Sequence, residues 1–98
     1  MREATRKEQM ALLVQALLSL ESEEECEQLL SDLCTIREMQ DLAQRIEVAR
    51  LLRAQMTYND IAQATGASTA TISRVNRSLL YGAGGYSRIL SRLEEEND

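Results

Sequence analysis

Two short apolar stripes, each opened by a hydroxyl residue and parted by one glycine, constrain this chain more than anything else in it. They lie within Thr57–Leu79, TYNDIAQATGASTATISRVNRSL. Thr57 stands where an N-cap belongs, and Asp60 three residues later makes a capping-box pattern with Asp in place of Glu or Gln. Ile61 and Ala62 then face inward on a helix of about two turns. Gly66 follows, and a sharp turn between helices needs a residue that tolerates positive φ. Ser68 is a second N-cap. It opens a helix whose apolar positions, Ile72, Val75 and Leu79, share one face. Ala62 is small, as a close helix crossing requires. Together these features predict a helix-turn-helix, a unit that places its second helix in the major groove of DNA.

The outward face of that second helix carries the candidate contacts. Residues near its start meet base edges, which assigns base reading to Thr69, Ala70 and Ser73. Small hydroxyl and methyl groups allow close approach, contact with thymine methyls and bridging waters. Arg74 and Arg77 can bond phosphate or guanine. The free N–H groups of the first helix, at Thr57, Tyr58 and Asn59, suit a phosphate, and Ser68, Thr71 and Arg77 complete the backbone-contacting set. The alternative is a helical protein-interaction module that uses a repurposed helix-turn-helix.

Charge agrees with the DNA-binding reading once it is divided along the chain. The net charge is −5. Residues 1–49 hold 5 basic and 11 acidic side chains, whereas residues 50–92 hold 6 Arg against Asp60 alone, and LEEEND at the end is acidic. The basic block is the one that contains the motif, and local charge governs phosphate contact more than net charge does. The composition is that of an all-α protein: no Pro, Phe or Trp, with Leu, Ile, Val, Met and Ala supplying the apolar content. The sequence has no His, no acid/base pair, no nucleophile motif and no glycine loop with a phosphate-binding Lys, so no enzyme and no catalytic residue is expected. Cys26 and Cys34 without His make no metal site, and read as small core residues in a reducing bacterial cytoplasm. No apolar run is long enough to span a membrane, and Ala11–Leu18 is too short and amphipathic for a signal peptide.

Six helices are expected in one domain over residues 1–98. The first runs from near Glu3 to Leu18, with Met10, Leu13, Val14, Leu17 and Leu18 on one face. Ser22 and Glu25 make a capping box for the second, whose Cys26, Leu29, Leu30 and Leu33 face inward. Thr35 and Glu38 open a third. It carries Met39, Leu42, Ala43, Ile46, Ala49 and Leu52 to about Ala54, a length of roughly 30 Å. So long a helix cannot bury its apolar surface within one such chain, and the first helix is apolar over a broad arc. A homodimer is therefore expected, presenting two recognition helices about 34 Å apart. Residues 1–56 form the dimerisation helices and 57–80 the helix-turn-helix. Residues 81–98 form a glycine turn, with Gly82 stopping the recognition helix, and a last helix capped by Ser87 and carrying Ile89, Leu90 and Leu93.

The stretch LAQRIEVARLLRAQMTYNDIAQATGASTATISRVNRSL resembles the Trp repressor pattern, and GASTATISRVNRSLLYGAGGY is similar to the Trp-repressor-related YerC/YecD family. The resemblance implies an intertwined homodimer with a DNA-reading head at each end, acting on double-stranded DNA as a transcriptional repressor. It also implies an effector pocket. Arg74 and Ser78 match the family's ligand-contacting Arg and Ser. Arg45 matches the central-helix Arg if one residue is deleted, while ungapped alignment gives Gln44. Val75 stands where the family has a glycine that leaves room for the indole ring, so tryptophan is not the expected corepressor. No cofactor is implied beyond an unspecified small-molecule effector.

Overall fold

Ser and Thr hydroxyls start five of the six helices. The computed structural model describes residues 2–96, which form α1 (Arg6–Leu18), α2 (Glu23–Leu33), α3 (Ile36–Arg53), α4 (Tyr58–Thr65), α5 (Thr69–Tyr81) and α6 (Gly85–Glu96). There is no strand among the described residues. Thr5, Ser22, Thr35, Thr57 and Ser68 each accept the N–H three residues on, satisfying a donor that a helix start leaves orphaned. Two of these are full reciprocal boxes, Thr5 with Glu8 and Thr35 with Glu38. At α2 the Glu25 carboxylate reaches one residue further back and accepts Glu21 N–H instead of Ser22 N–H. Thr5 also explains why α1 starts at Arg6 and not near Glu3.

The chain divides inside α3, between Met39 and Gln40, into two compact units. In the first, α1 and α2 contain no buried residue. Leu12 is 67% exposed and Leu18 80%. Of the inward face expected for α2, Cys26, Leu29 and Leu30 are half-buried and Leu33 is exposed. The apolar patterning of these helices is present, but their own unit supplies no core to receive it. Both cysteines are free thiols.

The second unit has a closed core. Val48, Ala49 and Leu51 from α3, Ile61 from α4, Ala67 from the turn, Ile72 and Val75 from α5 and Leu90 from α6 are buried together. Leu52, Met56, Tyr58, Ala62, Leu79 and Tyr86 pack around them. The face of α3 that meets this core is thus Val48, Ala49 and Leu51, with Leu52 at its edge, whereas Leu42, Ala43 and Ile46 are exposed. The helix is apolar on two sides, and the expected stripe captured mainly the outer one.

Three turns position α4, α5 and α6. After α3, Gln55 N–H reaches Leu52 C=O (3.0 Å) and Met56 N–H reaches Leu51 C=O (3.2 Å). This is a Schellman closure with Gln55 at φ 65° in the left-handed position that glycine usually fills. Gly66 ends α4 at φ 74°, where an added Cβ would meet nothing within 4 Å, so its requirement is conformational. Gly82 ends α5 for another reason. Its φ is −85°, but a Cβ there would lie 2.4 Å from the Ser78 carbonyl oxygen. The last helix corrects one expectation: Ser87 is not its cap. The helix begins at Gly85, because Gly84 at φ 86° turns the chain and its C=O already accepts Arg88 N–H. Ser87 lies within the first turn.

Candidate nucleic-acid interface

The helix-turn-helix is held by bonds within α4, the turn and α5. Gly66 N–H donates to Ala62 C=O at 2.8 Å. The Thr65 hydroxyl donates to Ile61 C=O and accepts Ala67 N–H, fastening the turn at both ends. Ala67 and Ile72 are buried against Ile61, which sets α5 across α4. Gln44 on α3 donates to Thr65 C=O (3.3 Å), tying the turn to the long helix. With Ile72 and Val75 turned inward, the start of α5 is left outward. Thr69 and Ala70 are exposed and Ser73 is half-buried beside them.

The residues assigned to phosphate contact fall into two groups. Thr57, Asn59, Ser68 and Arg77 are exposed, while Tyr58 and Thr71 are half-buried. Tyr58 packs against the core. Ser68 is engaged locally: it accepts Thr71 N–H and donates to the Thr71 hydroxyl, both at 3.1 Å.

The arginine block is not uniform either. Arg50 pairs with Glu47 on α3, which raises its pKa through that hydrogen bond. Arg53 is directed at α6: it donates to Ser87 C=O, to the Ser91 hydroxyl (2.9 Å) and to Glu94 (3.3 Å). These two arginines fasten α3 internally and to the last helix. Arg74, Arg77, Arg88 and Arg92 are exposed and form no ion pair among the described residues. Within this block, the arginines without a carboxylate partner among the described residues therefore lie on α5 and α6.

Behind α5 lies a cavity of about 140 Å³ lined by Arg45, Thr71, Arg74, Val75, Ser78 and Tyr86. All four residues assigned to an effector pocket line it, and Arg45, not Gln44, is the α3 residue that does so. Val75 is 2% exposed and belongs to the core as well as to the cavity wall. Tyr86 was not anticipated here. It follows a glycine-rich turn and carries no motif, and only the early start of α6 brings it round. A second, larger and mostly apolar hollow of about 440 Å³ runs along the α5–α6 turn past Ile46, Ala83, Tyr86 and Ile89. Among the described residues no cluster of His, Cys, Asp or Glu could hold a metal ion, and no helix is long and apolar enough to cross a membrane.

Six helices, a glycine-turned pair with an outward second helix, and a small cavity behind that helix define a helix-turn-helix protein of the Trp repressor type. The chain belongs to the Trp repressor protein family, whose pattern it matches over residues 8–94. It is 52% identical over 90 residues to the uncharacterized protein YerC of Bacillus subtilis, covering 92% of this chain and 86% of that one. Among solved structures it is similar to a TrpR-like protein from Eubacterium eligens (56% identity, TM-score 0.83, covering 86% of this chain and 87% of the other). It is also similar to a candidate Trp repressor from Staphylococcus aureus (45% identity, TM-score 0.84, 93% and 96% covered).

Proposed function

We propose that this chain is a sequence-specific DNA-binding transcriptional regulator, a cytoplasmic repressor that acts as a homodimer and does not use tryptophan as its corepressor. The observation that carries this reading is the start of α5. Thr69 and Ala70 stand outward with Ser73 beside them on a helix clamped by the buried Ile61, Ile72 and Val75, and the adjoining Arg74 and Arg77 have no carboxylate partner among the described residues. Thr69, Ala70 and Ser73 read base edges. Thr57, Tyr58, Asn59, Ser68, Thr71 and Arg77 hold the backbone on either side.

The dimer is supported by the apolar side chains left exposed on α1, by Leu33 and Ile36, and by Leu42 and Ile46 on α3. A monomer would keep these in water, and burying each would be worth about 1.5–3 kcal/mol. Residues 1–56 then serve as the dimerisation segment, 57–80 as the reading head, and 81–98 as the turn and closing helix. The case against tryptophan rests on Val75, whose side chain occupies the wall of the cavity where an indole would need space.

Selection of binding sites from random double-stranded DNA, with pure protein at stated salt, tests the proposal. An enriched palindrome whose half-sites are one helical turn apart is the expected result. No enrichment even at low salt would sink it. Changes at Thr69 or Ser73 should alter the preferred bases, while Arg77→Ala should weaken binding to all sequences alike and reduce its salt dependence.

A further inference from the structure

Thr65 is where α3, α4 and the turn into α5 meet. It is the last residue of α4, so its C=O is one of the carbonyls that a helix end leaves without an intrahelical partner. Its hydroxyl donates back to Ile61 C=O at 2.7 Å and accepts Ala67 N–H at 3.1 Å. Ala67 is buried and stands two residues before the first residue of α5. The Thr65 C=O is taken up by a side chain remote in sequence: the amide of Gln44, on α3, donates to it at 3.3 Å. Both residues are half-buried, so water competes for this bond only in part. A shift of α3 against the turn is thus passed through one residue to the start of the recognition helix.

The apolar contact between α3 and this head does not by itself set an angle. The buried α3 residues Val48, Ala49 and Leu51 span only about 5 Å of the helix axis. Burial is non-directional, and helices packed through such a patch scatter by about 15–20° in crossing angle. Thr69 and Ser73 are about 6 Å apart along α5. A swing of about 15° displaces one against the other by about 1.5 Å, whereas a hydrogen bond to a base edge tolerates only about half an ångström. Polar ties flank the patch on α3. Gln44 precedes Val48 by one helical turn and holds the turn after α4. Arg53 follows Leu51 and holds α6 at Ser87, Ser91 and Glu94. We infer that Gln44 is a positioning residue for base reading: through its bond to Thr65 C=O it fixes the angle at which α5 presents Thr69, Ala70 and Ser73. This inference rests on the DNA-reading proposal. The tie joins uncharged groups within one chain, so its contribution does not follow salt, unlike that of an arginine on phosphate.

Two uncharged variants test the assignment. Gln44→Met keeps the length of the side chain and removes its amide, and Gln44→Asn keeps the amide and shortens its reach. Their affinities for the operator enriched by wild-type protein are measured at several salt concentrations, well below the Tm of each variant, next to affinities for unrelated DNA. Operator affinity should fall about tenfold, with affinity for unrelated DNA and the slope against salt unchanged. A residue that serves stability alone would lower Tm and leave the affinity of the folded protein as it was, and that result would overturn the assignment. An equal loss on operator and unrelated DNA, or failure of both variants to fold, would overturn it too. Hydrogen exchange gives a readout without DNA. The Gly66 and Ala67 amides should exchange faster in the folded variants than in wild type, and equal rates would remove the hold on the turn. The two readings fail separately. If wild-type protein enriches no DNA, the regulator reading falls, and the exchange rates still decide whether Gln44 holds the turn. An operator bound equally by wild type and both variants leaves the regulator standing and removes Gln44 from base reading.

Discussion

Gly66 and Gly82 both end helices, yet alanine should damage them for unrelated reasons. At Gly66 there is space for a methyl group but φ is 74°, so Gly66→Ala should cost about 1–2 kcal/mol through backbone strain alone. At Gly82 the backbone is ordinary, but the methyl would overlap the Ser78 carbonyl. Gly82→Ala should cost about 1–3 kcal/mol through displacement of the end of α5. Urea unfolding of the two variants checks both figures. The αL position of Gln55 makes the opposite prediction: Gln55→Gly relieves strain and should raise stability by about 1 kcal/mol, net of the extra freedom glycine gives the unfolded chain. Gly66 could be read from sequence because a turn between two capped helices demands it. The clash at Gly82 and the conformation of Gln55 could not. Both depend on where a helix stops to within one residue, and Gln carries no turn signal.

At the scale of elements, local chemistry was the readable part. Caps at Ser22, Thr35, Thr57 and Ser68 involve partners three residues away, and all four are in place. Ser87 was read by the same rule and is not a cap, because Gly84 had already turned the chain into α6. Val48 and Leu51 were missed since α3 is apolar on two faces, and pattern alone does not say which face meets its own chain. The arginines show the same limit. Counting charge finds the block at 50–92 but cannot tell that Arg50 and Arg53 answer Glu47 and Glu94. The residues expected for an effector pocket were named only through family resemblance, and of Arg45 and Gln44 it is Arg45 that lines the small cavity behind α5.

Ser68→Ala removes the hydroxyl that starts α5 and should cost about 1 kcal/mol, with a matching loss of DNA affinity. The caps of α1 and α3 add a pH dependence. Bonds from Arg2 and then Thr5 hold the Glu8 pKa below its usual range, and the Thr35 backbone N–H followed by its hydroxyl does the same for Glu38. A carboxylate whose pKa is depressed in the folded state contributes stability that is complete above its unfolded pKa and is lost as pH falls through the folded value. Helicity followed by circular dichroism should therefore fall on acidification through the lower end of the carboxylate range. In Glu8→Gln and Glu38→Gln this component of the acid loss should be absent.

For the whole molecule, the contrast between its two units carries the weight. One has a closed core of eight buried side chains, and the other has none in α1 or α2. If a second copy supplies the missing surface, Tm should rise with protein concentration, by mass action. A Tm independent of concentration over two or three decades would count against the homodimer. Replacing Leu13 or Leu17 on α1 should lower Tm more at low concentration than at high.

The uncovered helices α1 and α2 have a consequence for how much regulator a cell holds. If these helices are completed only by a second chain, pairing is a step of folding, and the amount of working protein varies with the square of the free chain concentration when chains are scarce. Halving synthesis would then cut the assembled form by more than half, and dilution at cell growth would remove it faster than it removes the polypeptide. A graded change in expression would become a sharper change in the assembled form, with no ligand taking part.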